Sequence, residues 1–294
     1  MLTACDKEPV KVDAPAAPVK PVATPVTPPV IKGDVELDVE KPMVKPAHAQ
    51  AALDLGSNKA YIAPIQHGTF YMQWGRHIVY VDPVTPAMQT LPADKPAPKA
   101  DIVLLTDIHP DHMDAAAVKS LLKPNTIVVA PKAVAEKIKG QVEVTHVIAN
   151  GQEKALKDTP FTLRATPMYN IKRTKPDSDT PFHTKGRGNG YIVTHKEGGK
   201  VYVSGDTECT PEMRALEGID LAFVTMNLPY TMPVEEAAEC IRAFKPKRIV
   251  PFHHRGQEIA KLEQLLKDTP EVKLHLFEWY PKAKEGDAKT EDAH

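Results

Sequence analysis

From Tyr61 onward the apolar residues fall in short runs closed by turn residues, the pattern of strands that are buried for most of their length. Residues 65–74 and 77–81 flank Gly75-Arg76 and predict a hairpin, ended by Asp82-Pro83. Ile102-Val103-Leu104-Leu105 predicts the next strand after a Pro- and Ala-rich loop. Residues 115–122 then read as a helix, with Asp114 as the N-cap whose carboxylate accepts an orphan amide. Residues 126–130 and 142–148 read as strands around a helix at 131–138 that carries proline in its first turn. Further strands follow at 161–166, 190–194, 200–204, 221–225, 248–252 and 272–277. Two more helices are predicted, one at 233–244 and one at 258–266; in the first, Val234, Ala237, Ala238 and Ile241 share a face. Strands come first in hairpins and then alternate with helices, twice over. Two mixed sheets packed face to face, with helices on the outer faces, satisfy this order and place the chain in the α/β (α+β) class.

The first sixty residues are a different material. They hold no Phe, Trp or Tyr, and 9 of the 29 prolines lie in the first fifty positions. Such a segment cannot bury enough apolar surface to offset its ordering entropy, and proline biases it toward an extended form. The expected organisation is a tether over 1–60, a folded domain over 61–280 and a charged tail over 281–294. Leu2-Thr3-Ala4-Cys5 resembles the lipobox of bacterial lipoproteins, with Asp6 in the position that resembles an inner-membrane retention signal. That resemblance implies a lipid anchor on Cys5 and a periplasmic or cell-envelope location, the alternative being cytoplasmic.

A formal charge of -1 over 294 residues, without a basic block, argues against nucleic acid as the principal partner. No apolar run is long enough for a membrane span. Cys209 and Cys240 match no zinc pattern and no disulfide framework, and both read as small buried or half-buried residues.

The chemistry concentrates where the strand at 102–105 ends. Thr106 to Asp114 reads T-D-I-H-P-D-H-M-D and packs Asp107, His109, Asp111, His112 and Asp114 into eight positions. Carboxylate oxygen and imidazole nitrogen suit Zn, Mn and Fe. On extended backbone Asp107 and His109 point the same way, and the turn at Pro110 brings Asp111 and His112 to a second position. Two later strand ends also carry donors, Gly205-Asp206-Thr207 and Pro251-Phe252-His253.

In this order the motifs resemble the metallo-β-lactamase superfamily, whose H-x-H-x-D-H signature stands here as Asp107-x-His109-x-Asp111-His112. The likeness extends to the branch that includes L-ascorbate-6-phosphate lactonase. It implies the αββα four-layer sandwich and one or two divalent transition metal ions, Zn first and Mn or Fe as alternatives. It also implies Asp107 and His109 in the first site, Asp111, His112 and His253 in the second, and Asp206 bridging. The implied reaction is attack by a metal-activated hydroxide, with Asp111 and Asp206 central to catalysis. Two departures matter. Asp107 replaces the first family histidine, and the mid-domain strand end reads Pro167-Met168-Tyr169-Asn170 without a histidine. His183 from the following loop, or the Asn170 amide oxygen, is the candidate to complete the first site; without either, a mononuclear centre at the second site is the expectation.

His67 is expected either to line the site or to pack as a neutral core histidine. Arg255 and the basic, Gly-rich loop 185–190 are candidate contacts for an anionic substrate. The expected function is metal-dependent hydrolysis of an ester, lactone, amide or phosphodiester of a small, anionic molecule. A di-iron redox protein on the same fold and a non-catalytic metal-binding module are the alternatives.

Overall fold

A computed structural model describes residues 44–280. Cys5, its lipobox-like surroundings and the tail from Pro281 lie outside the described residues. The first sheet opens with β1 (Ala51–Leu55), β2 (Asn58–Gln66), β3 (Thr69–Trp74) and β4 (His77–Val81), an antiparallel meander. A short α1 (Thr85–Met88) leads to β5 (Ile102–Leu104), α2 (Ala115–Leu121), β6 (Ile127–Ala130), α3 (Lys132–Lys137) and β7 (His146–Val147), with β4 to β7 parallel. The second sheet comprises β8 (Glu153–Ala155), β9 (Phe161–Met168), β10 (Gly188–His195), β11 (Lys200–Val203), β12 (Leu221–Thr225), β13 (Arg248–Phe252) and β14 (Lys273–Leu274). Its helices are α4 (Pro211–Arg214), α5 (Val234–Phe244) and α6 (Lys261–Leu265). Each sheet has seven strands, in the orders β1 to β7 and β14 to β8.

Side-chain alternation makes the layers. In β4, Val79 and Val81 enter the core between the sheets while Tyr80 joins the cluster under α1, α2 and α3. In β12, Leu221 and Phe223 face the first sheet while Ala222 and Val224 face α5. Phe70 of the first sheet stacks on Phe223 of the second with ring centroids 4.2 Å apart. The four-layer order expected from the strand–helix rhythm is therefore the observed one.

Several readings change. The strand expected at 65–74 breaks at His67-Gly68, its first residues ending β2 and the rest forming β3, and the strand expected at 272–277 shortens to Lys273–Leu274. Residues 51–60, counted with the tether, form β1 and the start of β2, and Leu53, Leu55 and Ala60 sit in the central core. Alternation with exposed Asp54 carries this strand despite its lack of aromatics. Cys209 and Cys240 form a disulfide across Cα atoms 5.6 Å apart, tying the loop before α4 to α5. The strand expected at 142–148 shortens to His146–Val147, and α1, β8 and α4 arise where loops were expected.

The strand directions place the chemistry. The C-terminal ends of β4, β5, β11, β12 and β13 open onto one edge of the sandwich, as does β9, which is two antiparallel steps from β11. Ligand-bearing residues gather at such carboxyl ends because the chain leaves the sheet there. Two bonds hold the sheets in register at this edge: the Tyr191 hydroxyl donates to Leu105 O (2.7 Å) and the Asn189 N–H donates to Thr106 O (2.9 Å).

Candidate metal centre

Seven donor residues from the two sheets meet at this edge. His112 Nε2 lies 3.3 Å from Asp206 Oδ2 and 3.7 Å from Asp111 Oδ2. His253 Nε2 lies 3.2 Å from Asp111 Oδ2, and His253 Nδ1 is 3.7 Å from Asp206 Oδ1. Beside this group, His109 Nδ1 approaches Asp107 Oδ2 at 2.7 Å. His183 spans the two groups, its Nε2 3.8 Å from Asp107 Oδ2 and 3.4 Å from Asp206 Oδ2. Donor atoms of Asp107, His109 and His183, and again of His112, Asp206 and His253, lie close enough together to share an ion. Asp206 touches both groups.

The chain's own residues fit a cation here. His112 is fully buried, and its Nε2 has no hydrogen-bond partner. Its other nitrogen, Nδ1–H, donates to Asp82 Oδ2 at 2.8 Å. A nitrogen so oriented, facing Asp206 and Asp111, is a ligand whose tautomer is set from behind. Asp82 is itself fixed by the Thr106 N–H (2.8 Å) and the Thr106 hydroxyl (2.5 Å).

The charges agree. Burial disfavours an imidazolium at His112, yet Asp206, Asp111 and Asp82 outweigh it and raise its pKa well above the ordinary value. Burial likewise opposes ionisation of Asp206, but His253, His112 and His183 hold it well below the usual carboxylate range. Asp111 is lowered by the same kind of neighbours against its own desolvation, chiefly His112, His253 and His67. Asp107 would be pushed up by burial, but His109, His183 and Arg187 bring it to about 2. Ionised carboxylates facing imidazoles are the charge state that a divalent cation stabilises.

His183, not Asn170, faces the first group. The Asn170 amide oxygen instead accepts from His183, so asparagine orients the histidine. His67 lines the site. The Tyr280 hydroxyl already accepts the N–H groups of His254 and Arg255 and pairs with His67 Nδ1 at 2.8 Å. This leaves His67 Nε2 toward Asp111 Oδ2 at 3.4 Å, with its ring on that of His253 at 3.7 Å between centroids. Gly68 makes room for this stack, since a Cβ there would meet the His253 ring at 3.0 Å. Gly205, at φ +60°, lets the chain turn into Asp206 with a conformation that other residues resist. His67, Asp82 and His253 themselves take positive φ values of 55°, 44° and 50°, strain that the surrounding hydrogen bonds hold in place. Asp114 keeps to the helix cap, its Oδ1 accepting from Ala116 and Ala117.

The cations expected to meet an anionic substrate are mostly engaged. Arg187 forks onto Asp107, Nε to Oδ1 at 3.2 Å and Nη2 to Oδ2 at 3.1 Å. Lys185 pairs with Glu212 at 2.5 Å. Arg255 is exposed. Sequence reading missed Arg187 as the partner of Asp107 and Asn227 as the neighbour of His253 Nδ1 (3.2 Å); neither has a local signal. It also missed Tyr280 as the support of His67.

A family model described as the beta-lactamase superfamily domain matches residues 77–254, more than half of the chain. A UPF0173 metal-dependent hydrolase of Pelotomaculum thermopropionicum is 27% identical over 64% of this chain and 81% of its own length. Among solved structures, a protein of Parabacteroides distasonis assigned as a metal-dependent hydrolase is 33% identical, with a TM-score of 0.66 over 77% of this chain and 96% of that one. A metallo hydrolase of Ignicoccus hospitalis, 19% identical, shares the fold at a TM-score of 0.59 over 74% of this chain and 94% of that one.

Proposed function

The chain belongs to the metallo-β-lactamase superfamily, among its metal-dependent hydrolases, and from that premise we propose that it hydrolyses an ester, lactone, amide or phosphodiester at the edge where Asp111 and Asp206 face the imidazoles. The observation that carries the reading is the buried His112 Nε2, unpartnered and aimed between two ionised carboxylates. Asp107, His109, His183 and Asp206 would hold one ion, and Asp111, His112, His253 and Asp206 a second. When bound, such ions lower the pKa of a coordinated water toward neutrality and polarise the bond under attack. Each donor set mixes imidazole with carboxylate, which supports zinc as the first metal to test and Mn or Fe as the next.

The protein's share of the chemistry lies in orientation. Asp111 is the most open of the buried cluster's carboxylates, with 43% of its side chain exposed, and it alone contacts His67, His112 and His253. It is placed to orient an attacking water. Asp206, almost wholly buried, keeps the two donor groups together. Likeness to the L-ascorbate-6-phosphate lactonase branch puts lactones among the first substrates to test.

The Cys209–Cys240 disulfide supports an oxidising compartment, in keeping with the lipobox-like Cys5 and a membrane tether. Labelled palmitate incorporated by the full-length precursor in a bacterium, and lost in Cys5→Ala, is the expected result. A panel of esters, lactones, amides and phosphodiesters tests the activity: turnover that disappears in Asp111→Ala and in His253→Ala supports it, and silence of the metal-loaded protein across the panel contradicts it.

A further inference from the structure

The surface beside the His183 end of the cluster is apolar, and its backbone is fixed. Among the described residues the exposed large hydrophobic side chains include Ile171 at 52%, Leu228 at 41% and Tyr230 at 43%. Half-buried Phe182 meets the Tyr230 ring edge-on at 5.1 Å. Each of the four is one covalent step or one hydrogen bond from a residue of the centre or its support. Phe182 precedes His183, Ile171 follows Asn170, Leu228 follows Asn227, and the Tyr230 carbonyl accepts from Asn170 Nδ2 at 2.7 Å.

These side chains are held outward by their backbones. The buried Glu208 carboxylate accepts the N–H groups of Ile171, Lys172 and Arg173 at 2.8 to 2.9 Å. The turn under Leu228 and Tyr230 is closed by Tyr230 N–H and Thr231 N–H on Asn227 O, and by Asn227 N–H on the Thr231 hydroxyl. Locked loops that hold hydrocarbon in water beside a catalytic edge mark a contact surface. Meanwhile Arg187 and Lys185 are paired with Asp107 and Glu212, and Arg173 with Glu208 and Glu236.

Building on the hydrolase reading, we propose that Ile171, Phe182, Leu228 and Tyr230 receive a hydrocarbon or aryl group of the substrate, so that the enzyme acts on amphiphilic molecules with the scissile group at the polar end. Continuity with the metal centre argues for this occupant. His109, 35% exposed, packs edge-on against His183 at 5.1 Å, and His183 directly follows Phe182 of the rim.

Alkyl hydroxamates test the rim without requiring turnover, because the hydroxamate needs only the metal. Calorimetric titration of the metal-loaded protein is expected to show octanohydroxamate binding on the order of tenfold or more tighter than acetohydroxamate, as burial of added methylenes requires. The gain should shrink to about twofold in Phe182→Ala with Tyr230→Ser. Ile171→Ser with Leu228→Ser, both on exposed side chains, serves as the variant least able to disturb folding, and metal content checks both. Equal binding of the two hydroxamates, or a chain-length gain that survives in both double variants, overturns the proposal. Esters separate the two readings. Hydrolysis of p-nitrophenyl acetate and octanoate at equal kcat/KM upholds the hydrolase and overturns the rim. A hydroxamate chain-length gain in a protein silent across the whole substrate panel upholds the rim and overturns the hydrolase.

Discussion

The Asn170 amide oxygen accepts two hydrogen bonds from His183, one from the backbone N–H at 2.7 Å and one from Nδ1–H at 2.8 Å. The second leaves His183 Nε2 bare toward Asp107 and Asp206. Asn170 is in turn held by Glu208 and the Tyr230 carbonyl. Outer partners of this kind set ligand orientation and basicity.

Asn170→Leu keeps the volume but removes the acceptor. Metal affinity of the first donor group should fall about 10- to 100-fold while the second keeps its ion. Asn170→Asp keeps the acceptor toward His183 but sets a carboxylate against Glu208 and the Tyr230 carbonyl, to which Asn170 Nδ2 donates, so it should not restore the binding. Competition with a chelating dye, resolved into two sites, reads both.

Arg187→Met leaves the buried Asp107 carboxylate without its fork. Breaking a largely buried pair costs on the order of 3 kcal/mol, because one charge remains uncompensated. Denaturant unfolding of the metal-free variant should show this loss. Added metal should restore most of it, since an ion on Asp107 supplies the missing positive charge. A variant as stable as the wild type without metal would show that the fork contributes nothing.

The difference between Asn170 and His183 marks the limit of what the sequence discloses. Asp107 to His112, Asp206 and His253 were legible because each follows a short apolar run, and a strand's carboxyl end has a fixed relation to its sheet. His183 stands in a loop thirteen positions beyond Asn170, and only the pairing of β9 with β10 brings it back. Arg187 is read from sequence as a free cation because nothing local reveals a carboxylate 80 positions away. Residues 51–60 were lost for another reason: proline and alanine dominate the preceding segment, and that composition masked the alternation of Leu53 and Leu55 with Asp54.

The disulfide closes a 31-residue separation. Loop-closure entropy makes this worth about 3–4 kcal/mol. Unfolding under reducing conditions, or of Cys240→Ala, should show a loss of that size. Thiol titration of the denatured, unreduced wild type should find neither Cys209 nor Cys240 free.

His254 is buried beside Tyr280 with its Nε2 unpartnered, and burial, aided by His253, lowers its pKa from 6.5 to about 4. The unfolded chain therefore binds a proton that the folded one refuses between these values. Its contribution is complete above pH 6.5 and falls away as the pH drops toward 4. His254→Phe removes both the titration and the orphan nitrogen. Unfolding free energy measured from pH 7 to 4 should decline less steeply in the variant; equal slopes would contradict the assignment.

Metal content tests the whole account most directly. Elemental analysis of the purified chain, expressed with supplemented zinc, manganese and iron, should find one to two equivalents of transition metal, lost in Asp206→Ala because both donor groups share that carboxylate. A metal-free wild type, or an Asp206→Ala variant that keeps its full complement, would contradict it.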